Sequence, residues 1–255
     1  MSYLEHHGIK GQRWGVRRFQ NYDGTRTEAY RMRLKGAKRK QSLIKTQLGY
    51  NVDLQKFLVP DKNASKAVNM KKGETVDHVT PLDFKELRPG QDLYVSATKY
   101  DKNLYKSMLT MQMRKKGFGV DTPIKEVTFK LKEDLRSPSN DDQRKIFQDV
   151  YSKNKSVFDK DMRSYYSKEK PNSNDKYDMF IKTLDKSGES KQLFYRAIKE
   201  AGYNAVLDQH DVSDSWMQAS RPLIIMNALN TLGDMKVSDI SNKEIEQALK
   251  DLNYI

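Results

Sequence analysis

The chain has 255 residues, a length that suits one large or two small domains with a buried core. Only 36% of the residues are hydrophobic and 32% are charged, so much of the chain must be solvated helix or loop. Cysteine is absent, which excludes a disulfide framework and a thiolate metal site. No apolar run reaches the roughly 18 residues of a membrane-spanning helix, and we therefore expect no membrane partner.

The first segment of the chain is rich in aromatic and basic side chains. Its glycines, Gly8, Gly11 and Gly15, interrupt any continuous helical face. Aromatic anchors suit a protein pocket, and guanidinium groups suit phosphates or carboxylates. We therefore predict that residues 1–27 form a mobile recognition tag. The candidate residues for partner or nucleic-acid binding are Lys10, Arg13, Trp14, Arg17, Arg18 and Phe19.

This tag has a specific sequence. From Leu4 to Thr25 it reads LEHHGIKGQRWGVRRFQNYDGT. It closely resembles a tag at or near the N-terminus of diverse proteins of Gram-positive bacteriophages and prophages, which are encoded among head and packaging genes. The resemblance implies phage head or portal proteins as partners, and location in the virion interior or the bacterial host cytoplasm. It does not imply a reaction.

Positive charge is concentrated at the N-terminus. The first forty residues contain eleven Lys or Arg and three acidic residues, which gives +8 of the net charge of +13. A basic arm on a nearly neutral body is a usual layout for contact with nucleic acid or an acidic protein face. The alternative is a solvated tail that only aids solubility. Because the sequence contains no motif for reading base edges, we expect any contact with nucleic acid to be non-specific.

Helical patterns alternate with short strand patterns after the tag. Residues 28–73 read as a helical arm and linker, with Thr27 as N-cap, a break near Gly49 and a helical pattern to about Leu58. Residues 152–176 are polar and predict an exposed insertion. The further predicted helices are Asp101–Lys116, Asp141–Tyr151, Leu193–Ala201 and Ser241–Leu252, the last with a Ser241–Glu244 capping box.

Four strand patterns predict one sheet within a body of residues 74–240, followed by a C-terminal helix in residues 241–255. Their apolar positions have no other partner large enough to cover them, and the helix Asp101–Lys116 is expected to lie across one face. Short strands mixed with helices indicate an α+β fold with a mixed, partly antiparallel sheet and flanking helices. The predicted strands are Leu93–Thr98, Ile124–Leu131, Tyr203–Asp208 and Pro222–Asn227.

The body resembles a phage and mobile-element domain with the ADP-ribosyltransferase-like fold. The resemblance covers about residues 76–240, and it implies that fold and NAD as the cofactor of an enzyme. In place of the Arg that relatives have on the first strand, this chain has His78, and no Glu-x-Glu precedes a strand. The motifs that carry the resemblance are Asp77–Thr80, Tyr94–Asp101, Asp134–Ser139, Gly202–Asp208 and Arg221–Asn227.

In transferases of that fold, a first strand holds the nicotinamide ribose and phosphates, and a second strand shapes the nicotinamide pocket. A later Glu stabilises an oxocarbenium-like transition state. By position, His78 takes the first role, Tyr94, Ser96 and Thr98 take the second, and Asp208 or Asp211 replaces the Glu. The implied catalytic residues are His78, Tyr94, Ser96, Asp208 and Asp211. The implied NAD-binding residues are His78, Tyr94 and Thr98.

The residues themselves leave other interpretations open. Tyr94, Ser96 and Thr98 also suit the solvent face of an amphipathic strand, and residues 208–214 suit a turn-rich loop. The adjacent side chains His6 and His7 diverge, so we expect no metal site. Two functions remain: a virion-associated phage protein that docks through its tag and contacts DNA, and an ADP-ribosyltransferase-like effector that uses NAD. Because the Glu is missing, the second predicts slow or absent transfer.

Overall fold

The structure of the protein is a computed structural model that describes residues 25–118, 123–167, 175–184, 186, 188–213 and 216–255. Residues 1–24 lie outside the described residues, and with them the predicted mobility of the tag. The same holds for its candidate binding residues, Lys10, Arg13, Trp14, Arg17, Arg18 and Phe19. Thr27, the residue before the first helix, accepts a hydrogen bond from Tyr30 N and caps that helix, as the sequence predicts.

In the described part of the chain, eight strands form two antiparallel sheets. In the six-stranded sheet the order is β6-β7-β3-β2-β4-β8, and β1 pairs with β5 in a separate two-stranded sheet. The four predicted strands do share one sheet, which confirms that prediction. The strand patterns did not include β8, and only the resemblance, which places His78 on a first strand, implied β2. The strands are β1 Val68–Met70, β2 Thr75–Thr80, β3 Leu93–Ser96, β4 Lys125–Leu131, β5 Leu135–Ser137, β6 Ala205–Leu207, β7 Pro222–Ile225 and β8 Leu232–Asp239.

The helices begin and end at local capping signals. Gly49, at φ 80°, ends the first helix ten residues before the predicted end near Leu58, and Leu54–Phe57 is a separate 3-10 turn. The capping box of Ser241 and Glu244 is present. The helices are α1 Glu28–Leu48, α2 (Lys99–Leu104, π-helical Tyr105–Leu109 and Thr110–Lys115), α3 Asn140–Lys153, α4 Lys155–Tyr166, α5 Lys176–Ile181, α6 Glu189–Glu200, α7 Gln209–Ser213, α8 Ala228–Thr231 and α9 Asn242–Asp251.

The fold is α+β, as predicted, but the sheet is not mixed. Every strand ladder among the described residues is antiparallel. The alternation of side chains in a sequence shows which residues share a face, and it carries no information about strand direction. That is why the expectation of a mixed, partly antiparallel sheet was wrong while the α+β class was right.

Helices cover one face of the six-stranded sheet in two groups. Leu104, Met108 and Met111 of α2 pack with Val79 of β2, which confirms that α2 crosses one face of the sheet. The same cluster includes buried residues of α1 and α9, so the arm, the body and the C-terminal helix share one core. Helices α3 to α6 pack on Val206 and Ile224 at the other end of that face.

The predicted exposed insertion is wrong for residues 155–166. These residues form α4, and the side chains of Phe158 and Met162 are fully buried. The Phe158 ring lies 5.5 Å from Phe147 and 5.0 Å from Phe180, so α4 completes an aromatic core with its neighbours. The four-residue spacing of Phe158 and Met162 was the available signal, and the many Lys and Ser residues around it obscured the pattern.

A buried glutamine side chain closes the β6 edge of the sheet. Leu207 N donates to Gln143 Oε1 at 2.8 Å, and Gln143 Nε2 donates to Leu207 O at 2.9 Å. Gln143 Nε2 also lies 2.9 Å from the hydroxyl of Tyr177. One amide from α3 therefore replaces a neighbouring strand and satisfies both backbone groups of a fully buried residue.

The substitution Gln143→Leu should lower the free energy of unfolding by about 3 kcal/mol, because Leu207 N–H and C=O would remain buried without partners. Chemical denaturation measures this change. The control is Gln148→Leu on the exposed side of the same helix, which should change stability by less than about 0.5 kcal/mol. Equal losses in the two variants would contradict the role given to the Gln143 amide.

Candidate functional site

The six-stranded sheet is split between its two central strands. Strand β2 pairs with β4 at all six positions from Thr75 to Thr80, but with β3 only at Asp77 and Ser96. Beyond this pair, the His78 ring fills the gap, and its Nδ1 lies 2.8 Å from Tyr94 O. Since a carbonyl only accepts hydrogen bonds, Nδ1 carries the proton.

The environment of His78 favours the neutral ring. Burial lowers the pKa of His78 below its ordinary value, although the hydrogen bond to the Tyr94 carbonyl opposes this shift. The ring also packs edge-on against Phe84, with centroids 5.8 Å apart. His78 therefore supplies the hydrogen bond that the β2 backbone does not give to β3 at this position.

The predicted catalytic side chains lie on opposite faces of the sheet. His78 is paired with Val127, on the face that carries the apolar cluster of β4. Ser96 is paired with Asp77, the residue before His78, and Tyr94 is two residues before Ser96 on the same strand. Because successive side chains alternate between faces, the structure does not bring His78 together with Tyr94 and Ser96.

The hydroxyl groups of Ser96 and Thr98, in the motif from Tyr94 to Asp101, form hydrogen bonds within the fold. Ser96 Oγ is buried and donates to Asp77 O at 3.1 Å. Thr98 follows the end of β3 and caps α2: its Oγ1 accepts from Asp101 N at 3.1 Å and donates to Asp101 Oδ2 at 2.8 Å. Tyr94 alone of the three is exposed, with 42% of its surface accessible.

Ser96 and Thr98 also line a cavity of about 450 Å³ at the split. Its buried carboxylate, Asp77, accepts a hydrogen bond from Thr128 Oγ1 at 2.6 Å and forms an ion pair with Lys102 Nζ at 2.8 Å. Sequence reasoning did not single out Lys102, although its position one turn after Thr98 places it above the end of β3. His78, Tyr94, Asp208 and Asp211 do not line this cavity.

The two candidate carboxylates follow β6 and serve the adjoining segments. Asp208 Oδ1 accepts from His210 N at 3.0 Å at the start of α7, so this segment is a short helix rather than a turn-rich loop. Asp211 Oδ2 accepts from the hydroxyl of Tyr105 at 2.5 Å. Burial, with the Asp211 carboxylate beside it, raises the pKa of Tyr105. Asp211 thus joins α7 to the π-helical part of α2.

A second candidate site is the outer side of α1. Its exposed cations Arg31, Lys35, Lys38 and Lys45 are spaced so that they share one helical stripe, which we call the basic face. The only acidic residue in α1 is Glu28, which lies 3.2 Å from Arg31. Among the described residues, none forms an ion pair with Lys35, Lys38 or Lys45.

The opposite side of α1 is fixed to the body. Ala37, Leu43 and Ile44 are fully buried in the core, and Arg33 donates to the carbonyls of residues 58 and 59, each at 2.8 Å. Lys40 is also fully buried, and its Nζ donates to Gln218 Oε1 at 3.4 Å. The basic face is therefore held in a set orientation on the body.

Comparison of the chain with protein-family models, with curated proteins and with solved structures finds no match. Across the described ranges, no group of three or more His, Asp and Glu side chains is arranged to hold a metal ion. None of the helices in the described part of the chain has the length and apolar character needed to cross a membrane. Function must therefore be inferred from the geometry and charge of the chain itself.

Burial of Lys40 predicts a pH-dependent stability. Burial, and to a smaller extent the charge of Arg33, hold the pKa of Lys40 well below its usual value of 10.5. Between the lowered pKa and the usual one, the unfolded chain binds more protons, so the free energy of unfolding rises with pH across this window. Lys40→Met removes this rise. Relative to the natural chain, the variant should gain most stability at acidic and neutral pH, and the gain should shrink towards pH 10.5.

Urea denaturation at a series of pH values measures this difference. Lys45→Met on the exposed side of α1 is the matched control, since it removes a lysine from the surface and leaves the core unchanged. If the Lys40→Met curve ran parallel to that of the natural chain, Lys40 would not be titrating with a lowered pKa.

Proposed function

We propose that the protein is a virion-associated structural protein of a bacteriophage. It docks to a head or portal protein through the N-terminal tag and contacts DNA non-specifically through the basic face of α1. The observation that carries the proposal is the basic face itself, a row of exposed cations that begins within a few residues of a tag-like segment. The tag resemblance supplies the phage context, and the charge supplies the DNA contact.

The dimensions of the basic face suit a phosphate backbone. Arg31 and Lys45 are fourteen residues apart, which corresponds to about 21 Å along a helix. One DNA strand carries a phosphate for about every 3.4 Å of axis, so the stripe spans about six phosphates of a strand. Lysine and arginine contacts of this kind position DNA without reading its sequence.

The fixed orientation of α1 relates the two contacts to each other. Thr27 caps the helix, and Arg31 is one turn later, so the tag joins the body at one end of the basic face. The tag therefore leads directly into the N-terminal end of the basic face, and one chain offers both contacts. This arrangement suits a protein that connects a head component to the packaged genome.

Charge reversal on the basic face tests the DNA contact. The double variant Lys35→Glu and Lys38→Glu should weaken binding to a DNA duplex by about tenfold or more, and should reduce the slope of log K against log salt by about 2 units. Fluorescence anisotropy with a labelled duplex of unrelated sequence, at several salt concentrations, measures both quantities.

The control is the double variant Lys160→Glu and Lys199→Glu, which makes the same change in net charge on exposed positions of α4 and α6. It should bind nearly as tightly as the natural chain. If both double variants lost affinity equally, the effect would be one of overall charge, and the assignment of the contact to α1 would be wrong.

Removal of the tag tests the docking. A chain that starts at Thr25 should fold like the full chain, whereas deletion of residues 1–40 would also remove the buried Ala37 and Lys40. In particles purified from phage-producing cells, the shortened chain and the Trp14→Ala variant should be depleted relative to the full chain. Quantitative mass spectrometry of the particles measures this. Equal incorporation of all three chains would refute the docking role of the tag.

The alternative is an ADP-ribosyltransferase-like effector with the corresponding fold. In its favour, β2, which carries His78, and β3, which carries Tyr94 and Ser96, are adjacent strands at the centre of the sheet. Against it, the side chains of His78 and Ser96 are on opposite faces, and Asp211 is bound to Tyr105. Calorimetric titration with NAD tests this function, and binding that His78→Ala abolishes would favour it over the structural role.

A further inference from the structure

The two edges of the six-stranded sheet differ. At the β6 edge, the Gln143 side chain occupies the place of a further strand, with hydrogen bonds of 2.8 and 2.9 Å to Leu207. At the other edge, β8 pairs with β4 on one side, and no described residue pairs with its outer side. A free edge offers a row of backbone N–H and C=O groups to another strand, and proteins usually cover or interrupt such edges.

Strand β8 is long and exposed on both faces. It spans eight residues, and Met235 and Val237 retain 37% and 38% of their surface. These two side chains share a face with Phe129 and Val127, their partners on β4. Asp234 and Lys236 alternate with them and lie on the other face. The edge therefore combines free backbone groups with apolar side chains on one face and two opposite charges on the other.

We propose that β8 pairs antiparallel with β8 of a second copy of the chain, which joins the two sheets across a twofold axis. The register of this pairing is restricted. In a β-strand, the N–H and C=O groups of successive residues point alternately to one neighbouring strand and to the other. Two residues that face each other in an antiparallel ladder must both point these groups towards the partner strand or both point them away from it. The twofold axis must therefore pass between a residue and its own copy, and not between two successive residues.

Charge selects one of the permitted registers. If Met235 faces the partner's Met235, Asp234 faces the partner's Lys236, and Lys236 faces the partner's Asp234. Centring the pair on either neighbouring residue instead would place Lys236 against Lys236 or Asp234 against Asp234. Opposite charges directly across a ladder stabilise it, and like charges destabilise it. The Met235 register thus gives two favourable charge contacts and an apolar contact at the centre.

The pairing involves one strand from each copy, so the interface is at the small end of specific interfaces and the dimer is weak. We expect a dissociation constant of about 0.1 mM. Such a contact forms where copies are concentrated, and it leaves the basic face of α1 outside the joined strands. The proposal does not rest on the proposed function, because it follows from the sheet edge alone.

Analytical ultracentrifugation of the full chain, at concentrations up to about 1 mM, tests the pairing. A salt concentration of about 0.15 M screens the net positive charge beyond about 8 Å. Asp234→Lys and Lys236→Asp each convert two opposite-charge contacts into like-charge contacts, and each should weaken the dimer by about tenfold. The double variant exchanges the two charges and should restore dimerisation to near that of the natural chain.

The two single variants change the net charge in opposite directions, so general repulsion between copies cannot weaken both dimers. Both positions are exposed, and circular dichroism confirms that each variant is folded. A chain that stays monomeric up to the highest concentration would overturn the proposal. So would single variants that dimerise like the natural chain, or a double variant that does not recover.

Discussion

The buried carboxylate of Asp101 joins two adjacent strands of the sheet, β3 and β7, to the helix that crosses it. Asp101 is in the first turn of α2, is fully buried, and accepts hydrogen bonds from Ser220 N at 2.6 Å and Arg221 N at 2.8 Å, just before β7. It also accepts from the Thr98 hydroxyl at the end of β3. Burial raises the pKa of Asp101, and these hydrogen bonds oppose the shift. One side chain thereby fixes the end of β3, the start of α2 and the start of β7 together.

This constraint explains much of the motif from Tyr94 to Asp101 without catalysis. Ser96 holds the Asp77 carbonyl, and Thr98 and Asp101 cap and anchor α2. A polar motif that recurs at the centre of a fold is consistent with either a ligand site or a structural hydrogen-bond network. Here each hydroxyl or carboxylate has a partner within the fold, and the exposed Tyr94 is separated from His78 by the sheet. The structural interpretation therefore accounts for these residues more completely.

Local signals predicted the parts of the fold that depend on neighbours in sequence. Thr27, Gly49 and Ser241 marked helix ends correctly because capping is a local interaction. Strand β8 was missed although Met235 and Val237 alternate with Asp234, Lys236 and Ser238, because two apolar residues on a largely exposed strand give a weak signal. The sequence also could not predict that His78 and Ser96 lie on opposite faces of the sheet. The face of each side chain depends on the register between β2 and β3, which is set by a single pair, Asp77 with Ser96.

Both the six-stranded sheet and helix α1 have one covered side and one exposed side. Gln143 closes one sheet edge, whereas β8 leaves the other available, and α1 buries Lys40 while it exposes Lys35 and Lys38. Burying a lysine is costly, and a helix that retains one must gain from the rest of its packing. The orientation of α1 is thus determined by its buried side, and the row of exposed cations follows from that orientation. The two contacts proposed above, at the basic face of α1 and at the β8 edge, therefore involve surfaces that the buried parts of the fold leave exposed.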